Sequence, residues 1–153
     1  MATTYSAQKT KWDQNSPKDM IKPNELAGRV RVAYASAEAA SLAVGPIEMF
    51  NLSNGARILS GELVHDALGG STTASVGHAA YVNSAGTVVA LDVDGYKAAA
   101  ASTGIATVGV AATSALGRNS VVDANVDGIP ITVVIAGAAA TGTIELTMFW
   151  VLD

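Results

Sequence analysis

The hydrophobic positions concentrate in a central stretch, residues 47–81, which holds three apolar runs separated by two breaks. The breaks are residues 53–55 (Ser-Asn-Gly) and residues 69–71 (Gly-Gly-Ser). At the first break, Asn54 and Gly55 tolerate the positive φ angles of a tight hairpin turn, so the pattern predicts a β-hairpin there. The apolar positions expected to line a β core are Ile47, Met49, Leu52, Ile58, Leu59, Leu63 and Val64.

Further short apolar runs on both sides of this stretch predict more strands. Residues 29–35 alternate between two sets of side chains, which favours a strand with Val30 and Val32 on its buried face. About nine strands, with turn residues roughly every ten positions, are typical of an all-β antiparallel sandwich of the jelly-roll kind. The other predicted strands are residues 75–82, 86–91, 105–112, 120–123, 130–136 and 141–152.

One segment of the chain favours a helix instead of a strand. Asp94 is a good N-cap, and the alanine-rich segment that follows has a high helix propensity. We therefore predict one short helix over residues 94–102, ended by Gly104. The rest of the β body, residues 28–153, is expected to form a single sandwich domain.

Residues 1–27 have neither a helical nor a strand period, and Pro17 and Pro23 disfavour a helix at the residues before them. They are predicted to form an extended N-terminal arm, with one helical turn possible over residues 16–21. A disordered leader is the alternative. We favour an arm that lies on a neighbouring subunit, because isolated aromatic anchors carry much of the energy of an interface. The expected contact residues are Tyr5, Lys9, Lys11, Trp12, Met20, Ile21 and Leu26.

Charge is sparse and unevenly distributed over the 153 residues. Charged residues make up only 14% of the chain, which is low for a free-standing protein surface. Residues 1–31 carry six basic and three acidic groups, whereas the remainder carries three basic and ten acidic groups. A basic arm on an acidic body can dock on its own neighbours or on another acidic protein. Its dispersed positive charges are a weak footprint for phosphate, so no nucleic-acid partner is expected.

The chain has no cysteine, which excludes disulfides, thiolate metal sites and a cysteine nucleophile. The N-terminal residues lack the apolar core of a signal peptide, and the longest apolar run, residues 129–140, is too short to span a bilayer. No membrane partner is expected.

The sequence offers no convincing catalytic constellation. His65 and Asp66 with Ser60 or Ser71 suggest a triad, but adjacent strand residues point to opposite faces and cannot orient one another. The set of His65, His78 and Glu62 matches no compact metal-ligand spacing. The expectation is a protein that is not an enzyme and that has neither a cofactor nor a metal.

The strongest short motif is residues 123–128, Asp-Ala-Asn-Val-Asp-Gly, which matches the start of a calcium-binding loop. The match fails further on, because the twelfth position is Val134 instead of glutamate and Pro130 lies inside the loop. The flanking residues also predict strands, not the helices of an EF-hand. A hairpin turn rich in Asp, Asn and Gly is therefore preferred over a calcium site at Asp123 and Asp127.

Three strings resemble the small β-rich head decoration (cement) proteins of tailed bacteriophages. They are IEMFxLxxGARI at residues 47–58, TTASVGHA at residues 72–79 and DxDxYxAAA at residues 92–100. The resemblance implies a jelly-roll-like body that forms a homotrimer, binds the major capsid protein on the outer surface of the phage head and stabilises the mature shell. It also implies assembly in the cytoplasm of the bacterial host, with a terminal arm that reaches across subunits. It implies no active site.

Two functions of other classes remain open. A small receptor- or carbohydrate-binding module of a fibre, tail or baseplate would show an exposed aromatic platform, and this chain has few aromatic residues, 5% of the total. A small jelly-roll enzyme would need histidines and carboxylates clustered on one face, which the sequence does not indicate.

Overall fold

The structure, a computed structural model, describes residues 29–110 and 120–152. The predicted arm and the helical turn at residues 16–21 lie outside the described residues. Within the described ranges every regular element is a β-strand. None of these residues belongs to a helix long and apolar enough to cross a membrane.

Antiparallel pairing joins the strands into two four-stranded sheets and one short ladder. Sheet A has the order β1-β10-β3-β8, sheet B has the order β2-β9-β4-β7, and β5 pairs with β6. The strands are β1 (Arg31–Leu42), β2 (Gly45–Leu52), β3 (Ala56–His65), β4 (Thr73–His78), β5 (Tyr81–Val82), β6 (Val88–Val89), β7 (Asp92–Ala101), β8 (Ala106–Val110), β9 (Ile129–Ala136) and β10 (Ala140–Leu152).

Both sheets contribute to a single hydrophobic core, so the all-β antiparallel architecture predicted from the sequence is confirmed. Strand β10 illustrates how alternating side chains place one face of a strand in the core. Its side chains at 144, 146 and 148 are fully buried while those between them are only partly buried, as the period of two along a strand requires. The fully buried side chains of sheet B that meet them in the core include Ile131, Val133, Ile135 and Val76.

The predicted helix at residues 94–102 is wrong, because this segment lies in strand β7. β7 pairs with β4 in an irregular register that places Lys97 opposite Val76 and Ala101 opposite Thr73. Tyr96 is buried in the core, and the Lys97 ammonium donates to the carbonyl oxygen of Ala74 at 3.0 Å. These tertiary contacts outweigh the helix propensity of the alanines, which is worth only a few tenths of a kcal/mol per residue.

The predicted buried face of β1 is also wrong. Val30 and Val32 are 53% and 58% exposed. The register with β10 places Ala33 opposite buried Met148 and Ala35 opposite buried Leu146, so the alanine set faces the core. A shift of one residue exchanges the two faces of a strand. In β1 either the valines or the alanines can form the buried face, so the sequence pattern alone does not decide between them.

Two smaller predictions are corrected by the connections between strands. Gly55 has the expected positive φ of 77°, but the turn leads from β2 in sheet B to β3 in sheet A and is therefore not a hairpin. Residues 120–123 form no regular strand. Val121 makes an isolated bridge with Arg57, flanked by a hydrogen bond from Ile58 N to Ser120 O of 3.0 Å.

Candidate interaction surfaces

The residues predicted to make the arm contact all lie in residues 1–27, outside the described residues. Their role therefore stays a prediction. The described part of the chain offers the surfaces on which such an arm, or another protein, could bind. One of them is the outer face of sheet A.

The outer face of sheet A is built by cross-strand register. Val32 lies opposite Phe149, Tyr34 lies opposite Thr147, and Thr147 lies opposite Glu62 on β3. Because paired residues share a face, these side chains form rows across the sheet, opposite to the core. The residues that define the outer face are Val32, Tyr34, Ser36, Glu38, Glu62, Val64, Thr143, Glu145, Thr147 and Phe149.

Hydrogen bonds hold the carboxylates of this face in place. Tyr34 Oη donates to Glu145 Oε1 at 2.9 Å, and Thr143 Oγ1 donates to Glu38 Oε2 at 2.8 Å. The backbone N–H of Thr143 donates to Asp66 Oδ2 at 2.8 Å. The hydrogen bond to Glu145 raises the pKa of Tyr34 above its usual value, so the phenol remains a donor at neutral pH.

A shallow pocket of about 270 Å³ opens at the acidic end of the outer face, the end that carries Glu38 and Glu145. Val64 and Ile105 form its apolar wall, and the carboxylates of Asp66 and Glu145 line it with His65 and Thr143. Ile105 is 81% exposed. An apolar wall beside two carboxylates suits the methylene stem and the charged end of a lysine or arginine.

At the opposite end of sheet A, the guanidinium of Arg31 lies over the ring of Trp150, 5.4 Å from its centroid, a cation–π contact. Trp150 Nε1 is shielded from solvent and finds no acceptor among the described residues. A buried indole N–H without an acceptor costs about 1–3 kcal/mol.

The two histidines are buried, and each forms a hydrogen bond through Nδ1 with the backbone oxygen of the next residue. His65 Nδ1 lies 2.8 Å from the backbone oxygen of Asp66, and the Asp66 carboxylate bonds to Thr143 instead of to the imidazole. His78 lies in sheet B, so the two histidines belong to different sheets. Among residues 29–110 and 120–152, no three His, Asp or Glu side chains are grouped as a metal site requires.

The motif at residues 123–128 forms a turn stabilised by its own polar groups. The Asp127 N–H donates to Asn125 Oδ1 at 3.0 Å, and Asn125 Nδ2 donates to Asp127 Oδ2 at 3.0 Å. Asp123 Oδ1 accepts from the Ser84 N–H at 3.2 Å, and Gly128 has a φ of 78°. The carboxylates thus accept hydrogen bonds within the turn and from the neighbouring loop.

Beside this turn lies a second pocket, of about 210 Å³. It is lined by Tyr81, by the amides of Asn51 and Asn125, and by Asp127. The ring of Tyr81 packs edge-on against His78, with ring centroids 5.2 Å apart. His78 also contacts Tyr96, so an aromatic cluster connects the pocket to the core.

Tyr96 gives this cluster a defined response to alkaline pH. Burial raises the pKa of Tyr96 well above its ordinary value of 10.0. The stability contributed by the neutral, buried phenol is therefore complete below about pH 10 and is lost progressively as the pH rises further. We expect the free energy of unfolding to decrease less with rising pH in the Tyr96→Phe variant than in the wild type. Between neutral pH and about pH 11, the variant should lose about 1.4 kcal/mol less.

The measurement is urea unfolding of both proteins between neutral and alkaline pH. Lys97, whose pKa burial lowers, is present in both proteins and cancels in the difference. Parallel pH profiles for the wild type and Tyr96→Phe would contradict the assignment.

Comparison with known proteins gives a fold but no family. No family model matches the chain, and no curated protein matches it. Among solved structures, a chain of the capsid of Ralstonia phage GP4 is 24% identical with a TM-score of 0.59, and the match covers 82% of this chain and 86% of that one. A chain of the cyanophage Pam1 capsid asymmetric unit is 19% identical with a TM-score of 0.61, over 100% of both chains. The protein shares its fold with these phage capsid chains.

The outer face of sheet A is the surface that sequence reasoning missed. The sequence pattern predicts Val32 in the core, offers Glu62 only as a possible metal ligand and assigns no role to Tyr34 or Glu145. A signal was present, because Arg-Val-Arg-Val-Ala-Tyr-Ala permits either phase of burial. Choosing the alanine phase would have exposed Val32 and Tyr34 together.

Proposed function

We propose that the protein is a non-enzymatic structural component of a tailed-phage head, a decoration protein that binds the outer lattice of the major capsid protein and stabilises the mature shell. The observation that carries the proposal is the fold shared with chains of two phage capsids over 82% and 100% of this chain. A cement role fits a protein whose described residues provide surfaces for contact with other proteins.

We also infer that the body is a jelly roll. The strand order supports it, since β1 pairs with β10, β2 with β9, β3 with β8 and β4 with β7, as in one long hairpin rolled into two sheets. The pairs alternate between sheet A and sheet B. Viral capsid domains commonly have this arrangement of two Greek keys.

Binding to heads tests the function directly. The purified protein should bind purified phage heads that lack it and should raise the temperature at which they release DNA, because ligands of the assembled lattice stabilise it by mass action. Co-sedimentation and a thermal DNA-release assay provide the measurements. Heads that neither bind the protein nor gain stability would exclude a cement role.

Deleting residues 1–27 should weaken attachment to the heads while leaving the β body folded. The reason is that the arm carries isolated aromatic anchors, Tyr5 and Trp12, which contribute disproportionately to interfaces. Co-sedimentation measures attachment, and circular dichroism with urea unfolding serves as the folding control. Equal binding by the truncated and full-length chains would reduce the arm to a leader.

The proposed oligomer is a homotrimer, located at the three-fold or quasi-three-fold positions of the shell. Self-association is consistent with the low content of charged residues, 14%, and with exposed apolar side chains such as Val32 and Ile105. Light scattering after size exclusion, across a concentration series, should give the mass of three chains. A mass that remains that of one chain would confine any trimer to the capsid.

A receptor- or carbohydrate-binding role is the second candidate, and the pocket at Tyr81 favours it. An aromatic ring beside two amides and a carboxylate, Asn51, Asn125 and Asp127, offers both stacking and hydrogen bonding to a sugar. Binding on a glycan array that is lost in Tyr81→Ala would support this role, and an array without binding would remove it.

A further inference from the structure

The outer face of sheet A divides into an apolar end and an acidic end. Val32, Tyr34 and Phe149 lie toward the end where β1 begins. Glu38 and Glu145 lie toward the other end, where Asp66 joins them through Thr143. Glu62 lies between the two ends, level with Tyr34.

The acidic end receives no cation from the described part of its own chain. The Lys and Arg residues in the described ranges are Arg29, Arg31, Arg57 and Lys97. Arg29 and Arg31 lie at the start of β1, and Lys97 is buried in sheet B. Arg57 lies on β3, about 17 Å along the strand from Glu62, which is beyond the screening length at physiological salt.

The first twelve residues of the chain, MATTYSAQKTKW, complement this face. They contain Lys9 and Lys11 and no carboxylate, and they contain the aromatic residues Tyr5 and Trp12. In an extended segment, residues 5, 9 and 11 project to the same side, because side chains alternate. Lys11 lies six positions after Tyr5, and Phe149 lies six positions after Thr143 on the sheet, so both spacings are about 20 Å.

The preceding part of the chain is long enough for a second copy to supply this segment. Arg29 and Val30 precede β1 at the apolar end, and Val30 is 53% exposed. The preceding residues therefore depart from the end opposite to the acidic pocket. They number 28, enough for about 90 Å when extended, which reaches well beyond one sheet.

We propose that the outer face of sheet A binds residues 1–12 of a second copy of the chain. Tyr5 contacts the apolar end at Val32 and Phe149. Lys9 and Lys11 reach the acidic end, where Asp66 and Glu145 flank the apolar wall of the pocket. The inference rests on the proposed self-association of the protein and does not require its attachment to a capsid.

Zero-length cross-linking of the full chain tests the contact. A carbodiimide joins a lysine amine to a carboxylate only when the two touch. Isotopically labelled and unlabelled chains, mixed and refolded together, report whether each linked pair lies within one copy or between copies. We expect Lys9 and Lys11 linked to Asp66 or Glu145, with mixed-label pairs present.

Three results would overturn the inference. They are linked pairs from a single label only, links from Lys9 and Lys11 to sheet B carboxylates such as Glu48 instead, and a monomeric protein without such links. None of these would affect the decoration role, which the binding of heads tests separately.

A charge exchange gives an independent test that does not rely on cross-linking. The double variant Glu38→Lys/Glu145→Lys and the double variant Lys9→Glu/Lys11→Glu should each raise the dissociation constant of the oligomer about tenfold or more, and their combination should restore it. The matched control reverses two exposed carboxylates of sheet B, Glu48→Lys/Asp94→Lys. A control that dissociates equally, or a combination without recovery, would refute the proposed pairing.

Discussion

Replacing Gly77 by alanine is expected to destabilise the protein by at least about 3 kcal/mol, because overpacking of a closed site forces the backbone apart. Gly77 lies in β4, where the start of β7 crosses it closely. A Cβ at this position would overlap the carbonyl oxygen of Asp92 and would lie 2.6 Å from the carbonyl carbon of Val93. Both neighbours are backbone atoms, which cannot rotate away as a flexible side chain can.

The measurement is urea unfolding monitored by circular dichroism, with Gly109→Ala as the matched control. Gly109 also lies in a strand, β8, but a Cβ there would meet nothing within 4 Å. Alanine at 109 should stabilise slightly, by about 0.5 kcal/mol, because glycine is unfavourable inside a strand. If Gly77→Ala does not accumulate in soluble form while Gly109→Ala does, that result supports the close crossing as well as a measured loss of stability would. Equal midpoints for the two variants would contradict it.

Truncating Leu146 to alanine should cost about 3 kcal/mol, the sum of lost transfer energy and of the cavity left behind. Leu146 is fully buried at the centre of β10, where it lies opposite Leu63 of β3 and Ala35 of β1. Since β10 is hydrogen-bonded on both edges, neighbouring strands cannot collapse into the cavity without disturbing two ladders.

Leu152→Ala is the control for this substitution, because it removes the same atoms from the same strand. Leu152 is 40% exposed, so its truncation should cost less than about 1 kcal/mol. Unfolding in urea gives both values from the shift in midpoint at constant slope. A similar loss in the two variants would show that the middle of β10 is less tightly packed than its burial implies.

Strand β10 and strand β7 show how far the sequence determines this fold. The sequence predicts a strand over residues 141–152, and β10 spans Ala140–Leu152, because burial that alternates over residues 144–148 leaves a period of two in the sequence. Residues 94–102 are predicted to form a helix, because a run of alanines has no hydrophobic period and the prediction then rests on helix propensity alone. What makes the segment a strand is its pairing with β4, a contact distant in sequence.

The interaction surfaces were less predictable than the strands for the same reason. The acidic pocket joins Val64 and Asp66 to Ile105 and Glu145, residues that only the pairing of β10 with β3 and β3 with β8 brings together. No local motif encodes such a site. The polar turn at residues 123–128, whose groups are adjacent in sequence, is by contrast predicted by its Asp, Asn and Gly residues. The expected hairpin is not formed, because Val121 bridges Arg57 while β9 pairs with β2 and β4.

The pairing of β1 with β10 has a consequence for the newly made chain. Within the described sheets, β1 has β10 as its hydrogen-bonded neighbour. The strand of sheet A that is synthesised first therefore pairs only after the last strand has been synthesised. Pairings this distant in sequence form slowly, because loop closure precedes any stabilising contact. The outer face that we propose as a docking surface is therefore displayed only by chains whose synthesis has passed residue 152. Fragments released early by the ribosome would therefore lack the proposed docking surface and would be excluded from the proposed oligomer.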